Sequence, residues 1–222
     1  MLARFSVDCD DPNATDASRV PRGFSFRLGG DGQHSDIFTQ SAPVHFAGTL
    51  EQMLGLLGAH GIAAHPQPPS LLPSSLAGTT YWAVHAFPAT NAKGETRFIK
   101  FKVMPVAEQG KPSGDEAMPK PSDLLQRDLD SRIAARDVRF SVMALLDRPG
   151  DPVMDVTIRW PGEEAREALR LGTIVITGVE TENACDEAAF NPANLADGIG
   201  HPPDEMFAAR CAAYAISQTR RR

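Results

Sequence analysis

The chain has 222 residues, of which 42% are hydrophobic, and this composition is typical of a globular protein with one sizeable core. The formal net charge is -6 and the only basic cluster is residues 220–222, so a nucleic-acid partner is not expected. Three scattered cysteines are too few for a disulfide framework, and no apolar run reaches the about 18 residues of a membrane helix, so we expect a cytoplasmic protein without a membrane partner.

The first part of the chain predicts three strands and a helix. Residues 2–7 are largely apolar, residues 23–28 alternate between apolar and polar side chains, and a third strand is expected near residues 36–40. Thr49 then precedes apolar residues spaced at i, i+3, i+4 and i+7, which predicts a short amphipathic helix that ends near His60. The proline-rich tract 66–73 is typical of a linker or an extended strap.

The middle of the chain predicts a hairpin, a helix and further strands. Two strand-like runs, residues 80–87 and 96–104, flank Asn91-Ala92-Lys93-Gly94, a sequence that favours a hairpin turn. Ser122 is suited to cap a helix that reaches about Ala135. Strands are expected at residues 138–146 and 171–179, with residues 157–161 as the partner region of the first. Together these elements predict a single α+β domain over residues 1–222.

The last segment predicts a helix over about residues 203–218 that carries Arg210 and Tyr214 on one face. Residues four apart on a helix lie one turn apart, so the two side chains are neighbours. A guanidinium beside a phenol stabilises the phenolate, which is a hard anionic ligand that ferric haem accepts. An R-x-x-x-Y pattern by itself far more often reflects ordinary packing of the two side chains. Whether Tyr214 is a haem ligand is therefore decided by the sequence around the pattern.

The setting resembles the proximal haem segment of haem catalases and catalase-related peroxidases. The resemblance is carried, without a gap, by Phe190-Asn191-Pro192, Asn194-Leu195, Gly198-Ile199, Pro203-Asp204, Met206, Arg210 and Tyr214. The stretches 3–6, 21–24 and 35–46, and the hairpin 81–103, resemble strands of the same family. The resemblance implies a catalase-like antiparallel β-barrel with peripheral helices, a C-terminal haem-ligand helix, and haem b buried in the barrel.

The resemblance also implies a role for individual residues. Tyr214 matches the axial iron ligand, with Arg210 as its electrostatic partner. Arg4 and Arg221 match the arginines that bind the haem propionates, and the neighbours of Arg221 leave its register open by one position. Residues matched to further haem contacts are Phe46, His85 and Phe190.

The chain departs from the family pattern on the distal side of the haem. Gln40 and Ser41 stand where the family has two consecutive asparagines, one of which orients the peroxide. The family's distal histidine lies in a segment ahead of the strand that carries Arg4, and that segment is absent from this chain, so the fold is expected to be incomplete at its N-terminus. Because losing a positioned acid and base costs about 10²–10⁴-fold in rate, we expect weak or no catalase activity. The sequence leaves open whether a signal sequence lies upstream of Met1.

The leading interpretation is a haem-dependent oxidoreductase that acts on hydrogen peroxide or a small organic peroxide, with an organic electron donor that the sequence does not identify. One alternative is a non-catalytic haem-binding protein or degenerate remnant that self-associates through unpaired strands. Another is a small lipocalin-like binding barrel, which the interleaved helices argue against. A homo-oligomer is compatible with either of the first two readings.

Overall fold

The computed structural model describes residues 1–7, 16, 20–60, 75–106, 123–180 and 190–220. Three of the sequence predictions therefore concern residues outside the described part: the second propionate arginine Arg221, the helix cap Ser122 and the tract 66–73. In the part of the chain that the structure covers, none of the helices combines the length and the apolar character needed to cross a membrane.

The described residues form eight strands and three α-helices. The strands are β1 Ala3–Val7, β2 Arg22–Gly30, β3 Gln33–Gln40, β4 Tyr81–Trp82, β5 Phe87–Thr90, β6 Thr96–Pro105, β7 Val138–Leu146 and β8 Ala168–Ile176. The helices are α1 Leu50–His60, α2 Leu124–Ala135 and α3 Glu205–Arg220, and a single 3-10 turn, Glu163–Ala165, precedes β8. The predicted helices at 50–60 and 203–218 are thus present within two residues of their expected bounds.

All eight strands belong to one antiparallel sheet. Its order is β1-β2-β3-β4-β6-β7-β8, and β5 pairs with β6 beside β4. The sheet is strongly curled, because the ring of Phe5 on β1 lies only 6.2 Å from the ring of Phe140 on β7, five positions away in the strand order. The sheet therefore has a concave inner face and a convex outer face.

Three of the strand predictions need correction. The run 80–87 is not one strand, because β4 ends at Trp82, residues 83–86 belong to no strand, and the hairpin partner of β6 is β5, which begins at Phe87. Residues 157–161 are not a strand, and the strand that pairs with β7 beyond β6 is β8, with Val138 opposite Ile176. The buried indole of Trp160 packs beneath Lys100 and Arg166 instead of joining a ladder. The last strand was expected at 171–179 but spans 168–176, because its pairing ends where β7 begins.

Local sequence signals account for the ends of several elements. The β2–β3 hairpin turns through Asp31 and Gly32, whose φ angles of 51° and 77° are the positive values that a tight two-residue turn requires. Thr49 caps α1, since its hydroxyl accepts a hydrogen bond from the backbone N–H of Gln52 at 3.2 Å. The side chain of Gln52 in turn accepts from the N–H of Gly48 at 2.9 Å, as in a capping box shifted by one residue.

Aromatic rings fill the inner face of the sheet. Phe24, Tyr81 and Phe140 have no measurable solvent exposure, and the ring of Phe24 lies 5.3 Å from Tyr81 and 5.0 Å from Phe140. Leu125 and Leu129 of α2 belong to the same apolar cluster. The concave side is therefore a packed core, in which burial of apolar surface supplies the main stabilisation.

The residues 190–200, here called the 190–200 segment, form hydrogen bonds with both β3 and β5. On one side the backbone N–H of Asp36 donates to the carbonyl of Asn194 at 2.9 Å. On the other side the N–H of Thr90 donates to the carbonyl of Gly198 at 2.8 Å. The segment is fixed to both strands immediately before α3 begins, so it sets the position from which that helix starts.

Candidate functional site

Arg210 and Tyr214 both contact Phe38 on the outer face of the sheet. The ring of Tyr214 meets the ring of Phe38 edge-on at 5.0 Å, and the guanidinium carbon of Arg210 lies 5.4 Å from the centre of the same ring. Phe38 points outward because its neighbour Ile37 is fully buried in the inner core and strand residues alternate between faces. The predicted pair of side chains is thus brought together, with Phe38 between them and the sheet.

The position of Phe38 corrects one expectation. The resemblance implied a haem inside the barrel, but the inner face is filled by aromatic rings and Tyr214 lies on the opposite side of the sheet. A macrocycle bound by this phenol would therefore lie on the convex outer side of the sheet, beside α3. Both Arg210 and Tyr214 remain half-buried there, so they stay accessible to a ligand.

Phe190 extends the aromatic contact surface. Its ring meets Phe38 edge-on at 6.3 Å, and the guanidinium carbon of Arg27 lies 5.4 Å from its centre on another side. Its carbonyl oxygen accepts a hydrogen bond from the side chain of Gln218 at 3.4 Å, one turn beyond Tyr214 on α3. Phe190, predicted as a haem contact, is therefore part of the structure that holds Tyr214 in place.

Asp36 anchors this arrangement to the sheet. Its side chain is fully buried and accepts from Arg27 Nε at 2.6 Å and Nη2 at 2.9 Å, from the N–H of Asn191 at 2.9 Å and from the amide of Asn194 at 3.0 Å. Burial acts to raise the pKa of this carboxyl, but the hydrogen bonds from Arg27, Asn191 and Asn194 outweigh it and lower the pKa below its ordinary value. Asp36 is therefore charged at neutral pH.

His85 and Asp204 fix the start of α3. One oxygen of Asp204 accepts from the backbone N–H of Phe207 at 2.8 Å, which caps the helix. Nδ1 of His85 lies 3.0 Å from the other oxygen, and the imidazole meets the ring of Phe207 edge-on at 5.2 Å. His85 was predicted to contact the cofactor; its described contacts are with the helix that carries Tyr214.

The histidine is neutral at neutral pH. Burial lowers the pKa of the His85 imidazole, Asp204 opposes that change, and the nearby cations Arg210 and Lys100 add to the lowering. The contact with Asp204 is therefore a hydrogen bond from a neutral imidazole N–H rather than an ion pair. Arg210, one helical turn before Tyr214, is thus one of the charges that act on His85.

A second charged group lies on the outer face of β4 and β6. Glu163 accepts from Lys102 at 2.8 Å, Arg159 at 2.5 Å and the indole N–H of Trp82 at 2.9 Å. Burial acts to raise the pKa of Glu163, but these three donors outweigh it and lower the pKa to about 2. Burial also lowers the pKa of the neighbouring Lys100 to about 8, and no ion pair forms on this ammonium within the described residues.

The remaining predicted residues occupy defined places. Arg4 is exposed on the outer face of β1, opposite Ser25, which in turn lies opposite Phe38. Since neighbouring strands are about 4.8 Å apart, Arg4 and Phe38 are about 10 Å apart along this row, within the reach of one macrocycle. Phe46 lies in the loop between β3 and α1, where its ring stacks on His45 at 4.3 Å.

The side chains of both candidates for the distal asparagine position, Gln40 and Ser41, form hydrogen bonds with the protein backbone. The side-chain amide of Gln40 donates to the carbonyls of Ala42 at 3.2 Å and Val44 at 2.9 Å. The hydroxyl of Ser41 accepts from the backbone N–H of Arg22 at 2.9 Å. Both side chains thus hold the loop that follows β3, and orienting a peroxide would require Gln40 to break these contacts.

The sequence analysis assigned no role to Phe38 or Asp36, and it named Asp204 only as part of the resemblance and not as a helix cap. Asp36 lies between Ser35 and Ile37, and nothing in this local sequence distinguishes it from an exposed carboxylate on a strand. An Asp three residues before an apolar helix position is a capping signal, and it could have identified Asp204. No local signal distinguishes Phe38 from a core phenylalanine.

The donor groups present suit a haem. Among the described residues the Tyr214 hydroxyl makes no hydrogen bond, so its oxygen can bind a metal, and the guanidinium of Arg210 lies over the same Phe38 ring that Tyr214 contacts. Phe38 and Phe190 supply apolar surface, and Arg4 supplies a cation on the same face. In the same described part no group of three or more His, Cys, Asp or Glu residues could hold a bare metal ion.

Comparison with known proteins identifies the relatives of the chain. A family model described as Catalase matches residues 69–222, more than half of the chain. The chain is 27% identical over 240 residues to a catalase-related peroxidase of Mycolicibacterium paratuberculosis, covering 97% of this chain and 76% of that protein. It is 25% identical over 252 residues to a catalase-related peroxidase of Synechococcus elongatus, covering 100% of this chain and 73% of that protein.

Solved structures support the same fold. A fungal catalase superimposes with a TM-score of 0.80 at 18% identity, over 99% of this chain and 51% of that chain. Catalase A from Saccharomyces cerevisiae superimposes with a TM-score of 0.78 at 17% identity, over 99% and 53%. The chain spans about three quarters of the curated peroxidases and about half of these catalases. The predicted catalase-like α+β fold is confirmed.

Proposed function

Because the chain belongs to the catalase family, we propose that it is a haem-dependent oxidoreductase that decomposes peroxide. The observation that carries the proposal is the placement of Tyr214 and Arg210 on one side of Phe38, with the tyrosine hydroxyl unbonded within the described residues. We further propose haem b as the cofactor and residues 1–222 as one domain. Hydrogen peroxide or a small organic peroxide is the proposed substrate, and three scattered cysteines support a cytoplasmic location.

Several residues of this chain would together bind the cofactor. Tyr214 would bind the iron through its phenol oxygen, and Arg210 would stabilise the negative charge on that oxygen. Arg4 would bind one propionate, and Arg221, outside the described part, would bind the other. The apolar faces of Phe46 and Phe190 would exclude water from the porphyrin. A bound haem supplies the redox-active iron at which a peroxide O–O bond is cleaved.

His85 and Asp204 would fix the start of the helix that carries Arg210. The neutral imidazole of His85 donates to Asp204, which caps α3, so the first turn of the helix has a fixed position. Because the lowered pKa of His85 keeps it uncharged near neutral pH, Arg210 faces no additional full positive charge from that side. The guanidinium charge is then available to the phenol oxygen of Tyr214.

A second candidate function is haem binding without peroxide turnover. It is favoured by one specific observation: the donors of Gln40 are already engaged by the carbonyls of Ala42 and Val44. A peroxide above the iron would then lack an amide to orient it, while the ligand side of the site would be intact.

Peroxide decay and cofactor binding separate the two candidates. Haem is loaded into the wild type and into Tyr214→Phe, and the disappearance of hydrogen peroxide is measured against free haem at the same concentration. The proposed function predicts decay faster than that of free haem in the wild type only. Haem binding by the wild type with decay no faster than that of free haem would support the second candidate, and no haem binding at all would contradict both.

A further inference from the structure

We infer that Asp36 is a positioning residue for the Tyr214–Arg210 pair. The inference rests on the proposed function, and it assigns to a carboxylate on β3 a role in the site on α3, 174 and 178 positions later in the chain by the numbering of the sequence. Asp36 does not touch Tyr214. It acts through the 190–200 segment and through Phe190.

The first step is the convergence of donors on one buried carboxylate. Asp36 receives two hydrogen bonds from Arg27 on the neighbouring strand and two from the 190–200 segment, through the N–H of Asn191 and the amide of Asn194. Its side chain is completely shielded from water. Hydrogen bonds to a buried charge are stronger than neutral ones, so this is a rigid link between the sheet and the segment.

The second step runs from the carboxylate to the rings. Asn191 is bonded to Asp36 and directly follows Phe190, so the carboxylate fixes the backbone at that ring. Arg27, held by the same carboxylate, lies 5.4 Å from the centre of the Phe190 ring. The ring is therefore confined between Arg27 and Phe38, which it meets at 6.3 Å.

The third step runs from the rings to the site. Phe38 contacts the ring of Tyr214 and lies under the guanidinium of Arg210. Phe190 also accepts the hydrogen bond from Gln218, one helical turn past Tyr214. If Phe190 moves, both supports of that turn change together, so loss of the Asp36 charge is expected to shift Tyr214 while the inner core stays in place.

The test uses fluorine NMR of the full-length chain labelled with 3-fluorotyrosine. The chain has two tyrosines, so one signal reports Tyr214 in the site and the other reports Tyr81 in the inner core. Asp36→Asn places an amide N–H₂ among four donors, which removes the anchor with little change of shape. Asp151→Asn is the matched control, because Asp151 is also a nearly buried carboxylate that takes two hydrogen bonds from one arginine, Arg166, and one from a backbone N–H.

We expect the Tyr214 signal to shift or broaden in apo Asp36→Asn, with the Tyr81 signal unchanged, and neither signal to move in Asp151→Asn. In haem-loaded protein Asp36→Asn should weaken haem binding by about 10–100-fold, the range found for residues that support metal ligands. An unmoved Tyr214 signal in folded Asp36→Asn would overturn the inference, and so would an equal shift in Asp151→Asn.

A milder variant covers the case in which Asp36→Asn does not fold and both signals collapse. Asn194→Ala removes only one of the four donors, and it should shift the Tyr214 signal in the same direction but less. An unchanged Tyr214 signal in this variant would then overturn the inference. The apo spectra decide the role of Asp36 even if the wild type binds no haem, a result that would contradict the proposed function alone.

Discussion

The inner and outer faces of the curled sheet use aromatic side chains in opposite ways. On the inner face Phe24, Tyr81 and Phe140 are fully buried and contact one another. On the outer face Phe38 and Tyr214 are half-buried and contact each other, and the guanidinium of Arg210 lies over the ring of Phe38. The inner face therefore stabilises the fold, and the outer face keeps a phenol and a guanidinium within reach of a ligand.

The difference between the two faces shows how β3 can contribute both to the core and to the candidate haem site. Ile37 and Phe38 are adjacent, yet they belong to opposite faces because side chains alternate along a strand. A change at one of them should therefore affect stability, and a change at the other should affect the site. The predictions below test that division, from the largest expected effect to the smallest.

The largest effect is expected from Phe24→Ala on the inner face. Removing a fully buried ring from the packed cluster should lower the free energy of unfolding by about 3–5 kcal/mol. Urea denaturation followed by circular dichroism measures this loss. A loss below about 1 kcal/mol would contradict the division, because it would mean that the inner face is not the stabilising core.

The next prediction concerns two lysines of β6, whose replacement by methionine should change the free energy of unfolding in opposite directions. Lys100 has a pKa lowered to about 8 by burial, so its charge destabilises the folded state at pH 7, and Lys100→Met should raise the free energy of unfolding by on the order of 2–3 kcal/mol. Lys102→Met is the control and should lower it by about 1–3 kcal/mol, since it removes the 2.8 Å ion pair with Glu163.

The pH dependence identifies the cause. Below pH 8 the lysine is charged in both the folded and the unfolded chain, so the destabilisation by Lys100 is fully present. Between pH 8 and 10.5 the folded state releases its proton first, so the wild type gains stability relative to Lys100→Met until the difference vanishes. A stability difference between the two proteins that stays constant over this range would contradict the role of the buried charge.

A smaller effect is expected from His85, which supports the outer site. Because the pKa of its imidazole is lowered in the fold, its contribution to stability is complete above the unfolded pKa of 6.5 and is lost as the pH falls through the folded pKa. The slope is at most about 1.4 kcal/mol per pH unit for one proton. Thermal unfolding of the wild type and His85→Asn from pH 7 to 4.5 should show this slope in the wild type only.

The smallest effect on stability is expected from Phe38→Leu on the outer face. The leucine keeps most of the apolar volume of a half-buried ring, so the free energy of unfolding should fall by less than about 1.5 kcal/mol. Haem binding should nevertheless weaken, because the edge contact with Tyr214 is lost. Denaturation measures the change in stability, and titration with haem measures the change in affinity. Unchanged haem affinity would show that the ring of Phe38 does not support Tyr214.

Much of the fold follows from local patterns in the sequence. The alternation in β2, the strand-like run in β7, the cap at Thr49 and the Arg210–Tyr214 spacing predicted elements that the structure contains. The exceptions have physical causes. Residues 157–161 have strand-like composition, but composition does not show that Trp160 buries its ring beneath cations. The end of β8 depends on its pairing with β7, which is a non-local property.

The site was less predictable because its parts are distant in the chain. Tyr214 and Arg210 were found because their segment resembles the proximal haem segment of the catalase family, and that segment is continuous in the sequence. Their contact with Phe38, and the link from Asp36 to the 190–200 segment, join residues more than 150 positions apart. No single-sequence pattern encodes such contacts. Because the contact between Tyr214 and Phe38 is non-local, the sequence did not show on which side of the sheet the haem site lies. We expected the haem inside the barrel, whereas Phe38, which contacts Tyr214, lies on the outer face of β3.

The identity of the iron ligand is the central claim, and the two tyrosines of the chain allow a direct test. Ferric haem is titrated into the wild type, Tyr214→Phe and the control Tyr81→Phe, and iron–phenolate vibrations are recorded by resonance Raman spectroscopy. The account predicts these bands in the wild type and in Tyr81→Phe, and their loss in Tyr214→Phe. Unchanged iron–phenolate bands in Tyr214→Phe would contradict the assignment of the outer face as the haem site.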